Sequence, residues 1–188
     1  MNMQENFRIH PEKAVLVVID IQDKLAAAMP QDVLENVTRN VNMLVGMAKE
    51  FEMPILVLEQ YPKALGRTIP QLQDSLGQFE TIEKLVFNSL DSPEFVEKLK
   101  ESSAEDVILC GMEAHICVWQ TVLGLQAVDY NVFVPADAVC SRSKETWKLG
   151  LKSIRQSGAL VGSTEQFLYQ MVGRAGTDQF KKLLKLVK

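Results

Sequence analysis

The stretch that decides the fold is AVLVVI, residues 14–19, an unbroken apolar run followed directly by Asp20. A strand with one face in solvent alternates apolar and polar residues, whereas a strand covered on both faces shows no such alternation. Residues 14–19 therefore predict a strand buried on both faces, which is typical of a parallel sheet with helices on either side.

Strand-length apolar runs alternate with helix-period segments along the rest of the chain. We expect further strands at residues 55–58, 79–85, 107–110, 131–134 and 159–161. Helices are expected at about 32–51, from 93, at 117–129, 143–156, from 164, and at 178–188. This order predicts the α/β class: a single-domain, three-layer (α/β/α) Rossmann-like fold with a six-stranded parallel sheet, spanning residues 1–188.

Composition excludes several classes of function. The chain has 188 residues and a net charge of −4, which disfavours a broad nucleic-acid interface. No apolar run approaches the roughly 18–20 residues that span a membrane, and the first ten residues lack the apolar core of a secretory signal. The three cysteines, an odd number without CxxC spacing, then predict a cytoplasmic protein with free thiols.

Common cofactor motifs are missing from the sequence. It has two histidines, His10 and His115, and no HExxH pattern or Cys/His cluster. It also has neither GxGxxG nor a Walker A sequence. We therefore expect no metal and no other cofactor.

A candidate nucleophile follows the fourth predicted strand, in the stretch GMEAHIC, residues 111–117. The strand ends at Gly111, a tight turn follows, and a helix is predicted to open at or near Cys117. A helix N-terminus favours an anion, so a thiol there is expected to lose its proton near neutral pH. The alternative for any single cysteine is a small buried apolar residue, and we expect this for Cys110.

Two charged residues are predicted to join Cys117. Asp20 follows the first strand and Lys84 comes late in the third, and functional groups of parallel sheets gather at the carboxyl ends of the strands. A carboxylate can take the thiol proton and return it to a leaving amine, while the ammonium stabilises both anions. The thiolate would attack a carbonyl and form a thioester that water hydrolyses. Taken singly, Asp20 also fits a helix cap and Lys84 an exposed edge charge.

Three stretches resemble the signature regions of the isochorismatase-like cysteine hydrolases: VVIDIQ (17–22), EKLVFNS (83–89) and GMEAHIC (111–117). Two more, EQYPKALG (59–66) and DAVCSRS (137–143), resemble the isochorismatase-domain-containing branch. The resemblance covers nearly the whole chain. It implies a six-stranded parallel sheet, a catalytic triad of Asp20, Lys84 and Cys117, and a homo-oligomer.

The resemblance also implies a cis peptide bond before the cysteine, by position Met112–Glu113. Its expected use is to aim backbone N–H groups, that of Ala114 among them, at an oxyanion. Nicotinamidases of this superfamily carry an Asp/His metal site after the second strand. Residues 58–62 contain no histidine, which disfavours nicotinamide as the substrate and predicts a metal-independent enzyme.

Four residues are candidates for substrate binding: Gln60, Tyr61, Phe87 and Trp119. They lie near predicted strand ends or in the predicted cysteine helix, and pockets are mostly apolar with a few polar anchors. The alternative for Phe87 and Trp119 is a place in the core or in an interface.

The sequence thus predicts a hydrolase that cleaves a C–N bond, of the amide or ureide type, in a small molecule. One alternative is isochorismatase-type vinyl ether hydrolysis, in which Asp20 acts as an acid without the thiol. Another is a non-catalytic binding or scaffold module on the same fold. Neither membrane nor nucleic acid is an expected partner.

Overall fold

The structure is a computed structural model that describes residues 8–187. Residues 1–7, from which we expect no secretory signal, lie outside this range, as does Lys188 at the end of the predicted last helix. Within the described range, no helix combines the length and the apolar character needed to cross a membrane.

One parallel sheet of seven strands organises residues 8–187. The strands are β1 (Ala14–Ile19), β2 (Ile55–Gln60), β3 (Thr81–Lys84), β4 (Asp106–Met112), β5 (Asn131–Pro135), β6 (Val139–Cys140) and β7 (Leu160–Gly162). Six of them lie in the order β3-β2-β1-β4-β5-β7, and β6 pairs with the carboxyl end of β4. The predicted α/β class with a parallel sheet is confirmed.

Helices cover both faces of this sheet. They are α1 (Asp23–Ala27), α2 (Gln31–Glu50), α3 (Pro62–Leu65), α4 (Pro70–Leu76), α5 (Pro93–Glu101), α6 (Trp119–Gln126), α7 (Lys144–Gln156), α8 (Thr164–Val172) and α9 (Asp178–Leu186). Among residues 8–187, two 3-10 turns, Pro11–Lys13 and Ser89–Asp91, and a π-helical turn, Ala114–Val118, complete the elements. Ser143 caps α7 and Ser163 caps α8, each accepting a backbone N–H from the first turn of its helix.

Strand β1 separates two apolar cores. Its even-numbered residues lie in one core with residues of α2, α4, α8 and α9. Its odd-numbered residues lie in the other with residues of α5, α6 and α7. All six residues are at most 2% exposed, so the strand is buried on both faces, as the absence of polar alternation predicts.

The structure corrects the predicted number of strands from six to seven. The additional strand, β6, has two residues, which is too short for a periodic signal, and sequence analysis treats this segment as loop. Helices α1, α3 and α4 were not predicted either. Each spans about two turns or fewer, so none can show a repeated apolar stripe.

The order in which strands are added to the sheet reverses beside β1. The chain builds β1, β2 and β3 outward to one side, then crosses to the other side of β1 and builds β4, β5 and β7. Crevices at the carboxyl ends of the strands next to such a reversal are the usual ligand sites of open parallel sheets. The carboxyl ends of β1 and β4 are therefore the place to look for a site.

A glycine allows β1 and β4 to pair closely at this point. Gly111 pairs with Ile19 in the parallel register and has φ of +120°. A Cβ atom at position 111 would lie 2.0 Å from the carbonyl oxygen of Ile19. Only glycine fits both the backbone conformation and the contact.

Replacing Gly111 with alanine is expected to lower the free energy of unfolding by at least about 3 kcal/mol, through steric overlap and backbone strain together. Gly176→Ala is the matched control, because its φ of +84° is also positive but an added Cβ would meet nothing within 4 Å. We expect it to cost about 1 kcal/mol. Urea unfolding measures both changes, and equal losses would contradict the steric argument.

Candidate active site

Asp20 lies directly after β1, where the chain leaves the sheet. Its backbone N–H donates to the carbonyl oxygen of Leu58 at 3.1 Å, which extends the pairing of β1 with β2 by one residue. Its φ is +54°, in the left-handed region, so the residues that follow turn out of the ladder. The side chain of Asp20 is fully buried at this edge.

Lys84, the last residue of β3, forms a buried ion pair with Asp20. Its Nζ lies 2.7 Å from Oδ2 of Asp20, and both side chains are 0% exposed. The same ammonium donates to Oε1 of Gln60 at 2.8 Å and to the carbonyl oxygen of Val86 at 3.4 Å. An ammonium group has three donors, so each donor of Lys84 has an acceptor.

The second oxygen of Asp20 is left open. Oδ1 is buried and has no partner in hydrogen-bond geometry among the described residues, while the Cys117 thiol and the backbone of Gln60 lie close enough to stabilise the charged carboxyl group. Burial raises the pKa of the Asp20 carboxyl group above its ordinary value, while the charge of Lys84 acts in the opposite direction. A buried acceptor without a partner is rare in folded proteins and calls for an explanation. Here it suits an atom that receives and returns a proton.

Cys117 lies in the π-helical turn Ala114–Val118, and α6 begins after this turn, at Trp119. The sequence predicts one helix from Cys117 to residue 129. The structure corrects this helix to Trp119–Gln126 and places Cys117 in the preceding π-helical turn. The turn with its preceding residue, 113–118, is called the cysteine turn below. Because π-helical turns are defined by backbone bonding rather than by composition, the sequence carries no signal for one.

Helix α7 packs directly on the backbone of the cysteine turn. A Cβ atom at Gly150 would lie 2.8 Å from the carbonyl carbon of Ala114 and 2.8 Å from the backbone nitrogen of His115. The missing side chain at position 150 therefore lets α7 cover this turn. Cys117, in the same turn, is 6% exposed.

The electrostatics of Cys117 differ from the sequence-based expectation. Burial, followed by the negative charge of Asp20, raises the pKa of the Cys117 thiol to about 12, and Lys84 acts in the opposite direction. Burial thus opposes the thiolate near neutral pH that the sequence predicts, and it favours the neutral thiol in the resting protein. Its nucleophilic form requires a base, and Asp20 is the carboxylate whose charge acts on the thiol.

Two polar contacts tie the cysteine turn to the segment after β6. The Met112–Glu113 peptide bond is cis, and Oε2 of Glu113 accepts from the backbone N–H of Arg142 at 2.9 Å and from its Nε at 3.1 Å. His115 Nδ1 lies 2.9 Å from Oγ of Ser141. These contacts fix Glu113 and His115 in place.

The four predicted substrate-binding residues differ in exposure, and one of them, Gln60, contacts Lys84. Gln60 is buried, and its Oε1 is already engaged by Lys84. Tyr61 and Phe87 are 48% and 52% exposed. Trp119 is partly buried and packs against the core that contains α5, α6 and α7.

Two surface grooves relate differently to this centre. A groove of about 600 Å³ is lined in part by Ser141 and Arg142, the contacts of the cysteine turn. A groove of about 820 Å³ lies by Ile55 and Thr81, at the amino ends of β2 and β3. Since Asp20 lies at the carboxyl ends of the strands, the larger groove is at the wrong edge of the sheet for the chemistry.

The other two cysteines are buried in strands. Cys110 in β4 and Cys140 in β6 are free thiols, and burial raises the pKa of both. In the described range, no group of three or more His, Cys, Asp or Glu residues is placed to hold a metal ion.

Comparison with known proteins shows which family this chain matches. The family model of the isochorismatase domain matches residues 14–166, a range that includes Asp20, Lys84 and Cys117. The chain belongs to the isochorismatase family. This confirms the resemblance noted in the sequence.

Relatives of this isochorismatase-family chain carry different names. The secreted isochorismatase effector Isc1 of Phytophthora sojae is 34% identical over 186 residues, covering 96% of this chain and 87% of that protein. A solved structure of MAR1 ribonuclease from Caenorhabditis elegans is 34% identical, with a TM-score of 0.88, and covers 96% of this chain and 92% of that one.

A more distant structure shares the fold. The YcaC gene product from Escherichia coli, described as an octameric hydrolase of unknown specificity, is 21% identical with a TM-score of 0.87. The match covers 96% of this chain and 89% of that chain. Family membership indicates a hydrolase, and the names of these proteins do not agree on a substrate.

Sequence analysis missed one residue of the site, Gln22. It is fully buried, and its side chain makes three hydrogen bonds to the main chain at the end of β2 and the loop after it. The available signal was a glutamine two residues after Asp20, where the chain has just left a fully buried strand.

Replacing Lys84 with methionine is expected to lower the free energy of unfolding by about 3–5 kcal/mol at pH 7, because Asp20 then stays buried without its cation. Without Lys84 the pKa of the Asp20 carboxyl rises further in the folded state. The folded variant then holds a proton that the unfolded chain, with an ordinary pKa of about 3.9, has released. The loss relative to the wild type therefore grows as the pH rises above about 4.

Urea unfolding of Lys84→Met between pH 4.5 and 8 measures this dependence. The double variant Asp20→Asn/Lys84→Met is the control, because it has no carboxyl group at position 20, and the single variant should lose more stability than the double variant as the pH rises. A loss in the single variant that is the same at both ends of the range would contradict a buried, titrating Asp20.

Proposed function

We propose that this isochorismatase-family protein hydrolyses a C–N bond of a small molecule, of the amide or ureide type, through a thioester on Cys117. The observation that carries the proposal is the buried Asp20–Lys84 pair, whose two charges act on the Cys117 thiol. A buried ion pair next to a buried thiol costs stability, and its use in chemistry is a reason to keep it.

Asp20 is proposed to carry the proton in both halves of the reaction, formation of the thioester and its hydrolysis. Its carboxylate takes the thiol proton while sulfur attacks the carbonyl carbon of the substrate. The tetrahedral intermediate collapses, the C–N bond breaks, and Asp20 returns the proton to the departing nitrogen. Water then attacks the thioester and gives a proton to Asp20, the C–S bond breaks to release the carboxylic acid, and Asp20 returns the proton to sulfur, which restores the thiol.

Lys84 acts in this scheme through its charge. Its three donors are taken by Asp20, Gln60 and Val86, so it does not need to bind the substrate directly. Its ammonium stabilises the carboxylate before the transfer and the thiolate after it.

We assign the oxyanion to backbone N–H groups that follow the cis bond between Met112 and Glu113. The N–H groups of Ile116 and Val118 already donate to the carbonyl oxygen of Glu113, at 3.0 and 3.3 Å. The N–H groups of Ala114 and Cys117, in the same turn, are the proposed donors to the developing negative charge.

The body of the substrate is proposed to lie against the aromatic rim formed by Tyr61, Phe87 and Trp119. The side-chain oxygen of Gln60 accepts from Lys84. Its amide nitrogen is proposed to donate a hydrogen bond to an acceptor atom of the substrate. The net charge of −4 argues against a nucleic-acid substrate. No metal or other cofactor enters the proposed steps.

Vinyl ether hydrolysis is the second candidate function. Burial raises the pKa of Asp20, which helps its carboxyl group to carry the proton that acid catalysis of this reaction needs. The relative Isc1 is also named an isochorismatase effector. In this case the thiol of Cys117 is not required.

A homo-oligomer in the cytoplasm is the proposed working form. Exposed apolar side chains at Tyr61, Leu85, Phe87 and Leu123 offer a surface for another copy of the chain. The octamer described for YcaC is in line with such an assembly. The cytoplasmic location is proposed because the three cysteines are unpaired thiols.

Activity assays on Cys117 variants test the proposed reaction. A panel of primary amides and ureides is scored for ammonia release, and on any substrate found we expect Cys117→Ser and Asp20→Asn each to lower kcat/KM by at least about 10³-fold. Cys140→Ala is the matched control, since it removes a buried thiol from β6, and it should change kcat/KM by less than about threefold.

The same variants separate the competing functions. Full turnover of an amide by Cys117→Ser would contradict the thioester route. Turnover of isochorismate that survives in Cys117→Ser but is lost in Asp20→Asn would establish vinyl ether hydrolysis in its place. A protein that turns over neither the amides and ureides of the panel nor isochorismate would fit a binding or scaffold module.

A further inference from the structure

The main chain at the end of β2 lacks a strand partner on one side. Strand β1 pairs with β2 as far as Ile19 and Leu58, and the N–H of Asp20 adds one more hydrogen bond, to Leu58. The next acceptor in the ladder would be the carbonyl oxygen of Asp20. It accepts instead from the N–H of Gln22, at 2.9 Å, because the left-handed backbone of Asp20 turns the chain away.

The side chain of Gln22 fills the place of the missing strand residue. Its Oε1 accepts from the backbone N–H of Gln60 at 2.7 Å, and its Nε2 donates to the carbonyl oxygen of Gln60 at 3.0 Å. The same Nε2 also donates to the carbonyl oxygen of Gly66 at 2.7 Å. One fully buried amide therefore satisfies both main-chain groups of Gln60 and anchors the loop that follows.

Gln60, held in this way, in turn orients the ammonium group of Lys84. While its main chain is held by Gln22, its side-chain Oε1 accepts from Nζ of Lys84 at 2.8 Å, and the same Nζ lies 2.7 Å from Asp20. A lysine side chain has a flexible four-carbon stem, so the position of its ammonium depends on its acceptors. The third acceptor, Val86, is longer at 3.4 Å.

We propose that Gln22 is a positioning residue, which holds Lys84 against Asp20 by fixing the main chain of Gln60. The inference rests on the function proposed above, because it concerns the same Asp20, Lys84 and Cys117. It also gives Gln60 a second role, as the direct support of the ammonium.

Alkylation of Cys117 by iodoacetamide reports the position of Lys84 without a known substrate. The charge of Lys84 lowers the pKa of the Cys117 thiol, so a displaced ammonium leaves less thiolate at a given pH. We expect the alkylation rate of Cys117 at pH 9, followed by peptide mass spectrometry, to fall about tenfold in Gln60→Met and in Gln22→Met. The rates of Cys110 and Cys140 should stay unchanged.

Asn40→Leu is the matched control for lost stability. Asn40 is also a buried amide, and its Nδ2 donates to a main-chain carbonyl oxygen, that of Asp137, at 2.8 Å. We expect this variant to lower the melting temperature while leaving the rate at Cys117 within about twofold of the wild type. Gln22→Asn, one methylene shorter, replaces Gln22→Met if the latter does not fold.

A double-mutant cycle tests whether Gln22 acts through Gln60. If it does, the double variant alkylates at Cys117 no more slowly than Gln60→Met alone, because the second change removes nothing further. Multiplied effects in the double variant would overturn the proposed relay, as would Gln22 variants that react at the wild-type rate. Full amide turnover by Cys117→Ser would overturn the proposed function, and the positioning of Lys84 by Gln22 would then be judged on the alkylation rates alone.

Discussion

The buried contact between Lys84 and Asp20 is the constraint on which the rest of the site depends. Lys84 ends β3 and Asp20 follows β1, and these strands are not neighbours, because β2 lies between them in the sheet. The ammonium must therefore cross the end of β2 to reach the carboxylate at 2.7 Å. Enclosing both charges is unfavourable without further polar partners. Gln60, at the end of β2, supplies one of these partners. The position of its side chain therefore affects how well the buried ammonium is stabilised.

Much of this arrangement could be predicted from the sequence. The unbroken apolar run at residues 14–19 predicts a strand with the same bounds as β1, and its lack of alternation indicates a covered parallel sheet. Once the strands are parallel, residues at their carboxyl ends lie at one edge. Asp20 and Lys84 follow from that rule, which requires only the order of the elements.

The remaining features depend on contacts between distant parts of the chain. The pKa of Cys117 is set mainly by burial, and no local pattern shows that Gly150 lets α7 cover the cysteine turn. The role of Gln22 depends on the left-handed backbone of Asp20, which breaks the ladder between β1 and β2. The two residues of β6 pair only because β4 extends past the residues that pair with β5.

The lengths of the outermost strands bear on how copies of this chain could associate. The sheet ends at β3 on one side and at β7 on the other, with four and three residues respectively. Exposed strand edges offer unpaired backbone groups to another chain, and short edges limit that risk. A second copy would gain few main-chain hydrogen bonds by extending this sheet. Self-association is therefore expected to use side chains of helices and loops. The short edge strands also disfavour aggregation through pairing of sheet edges.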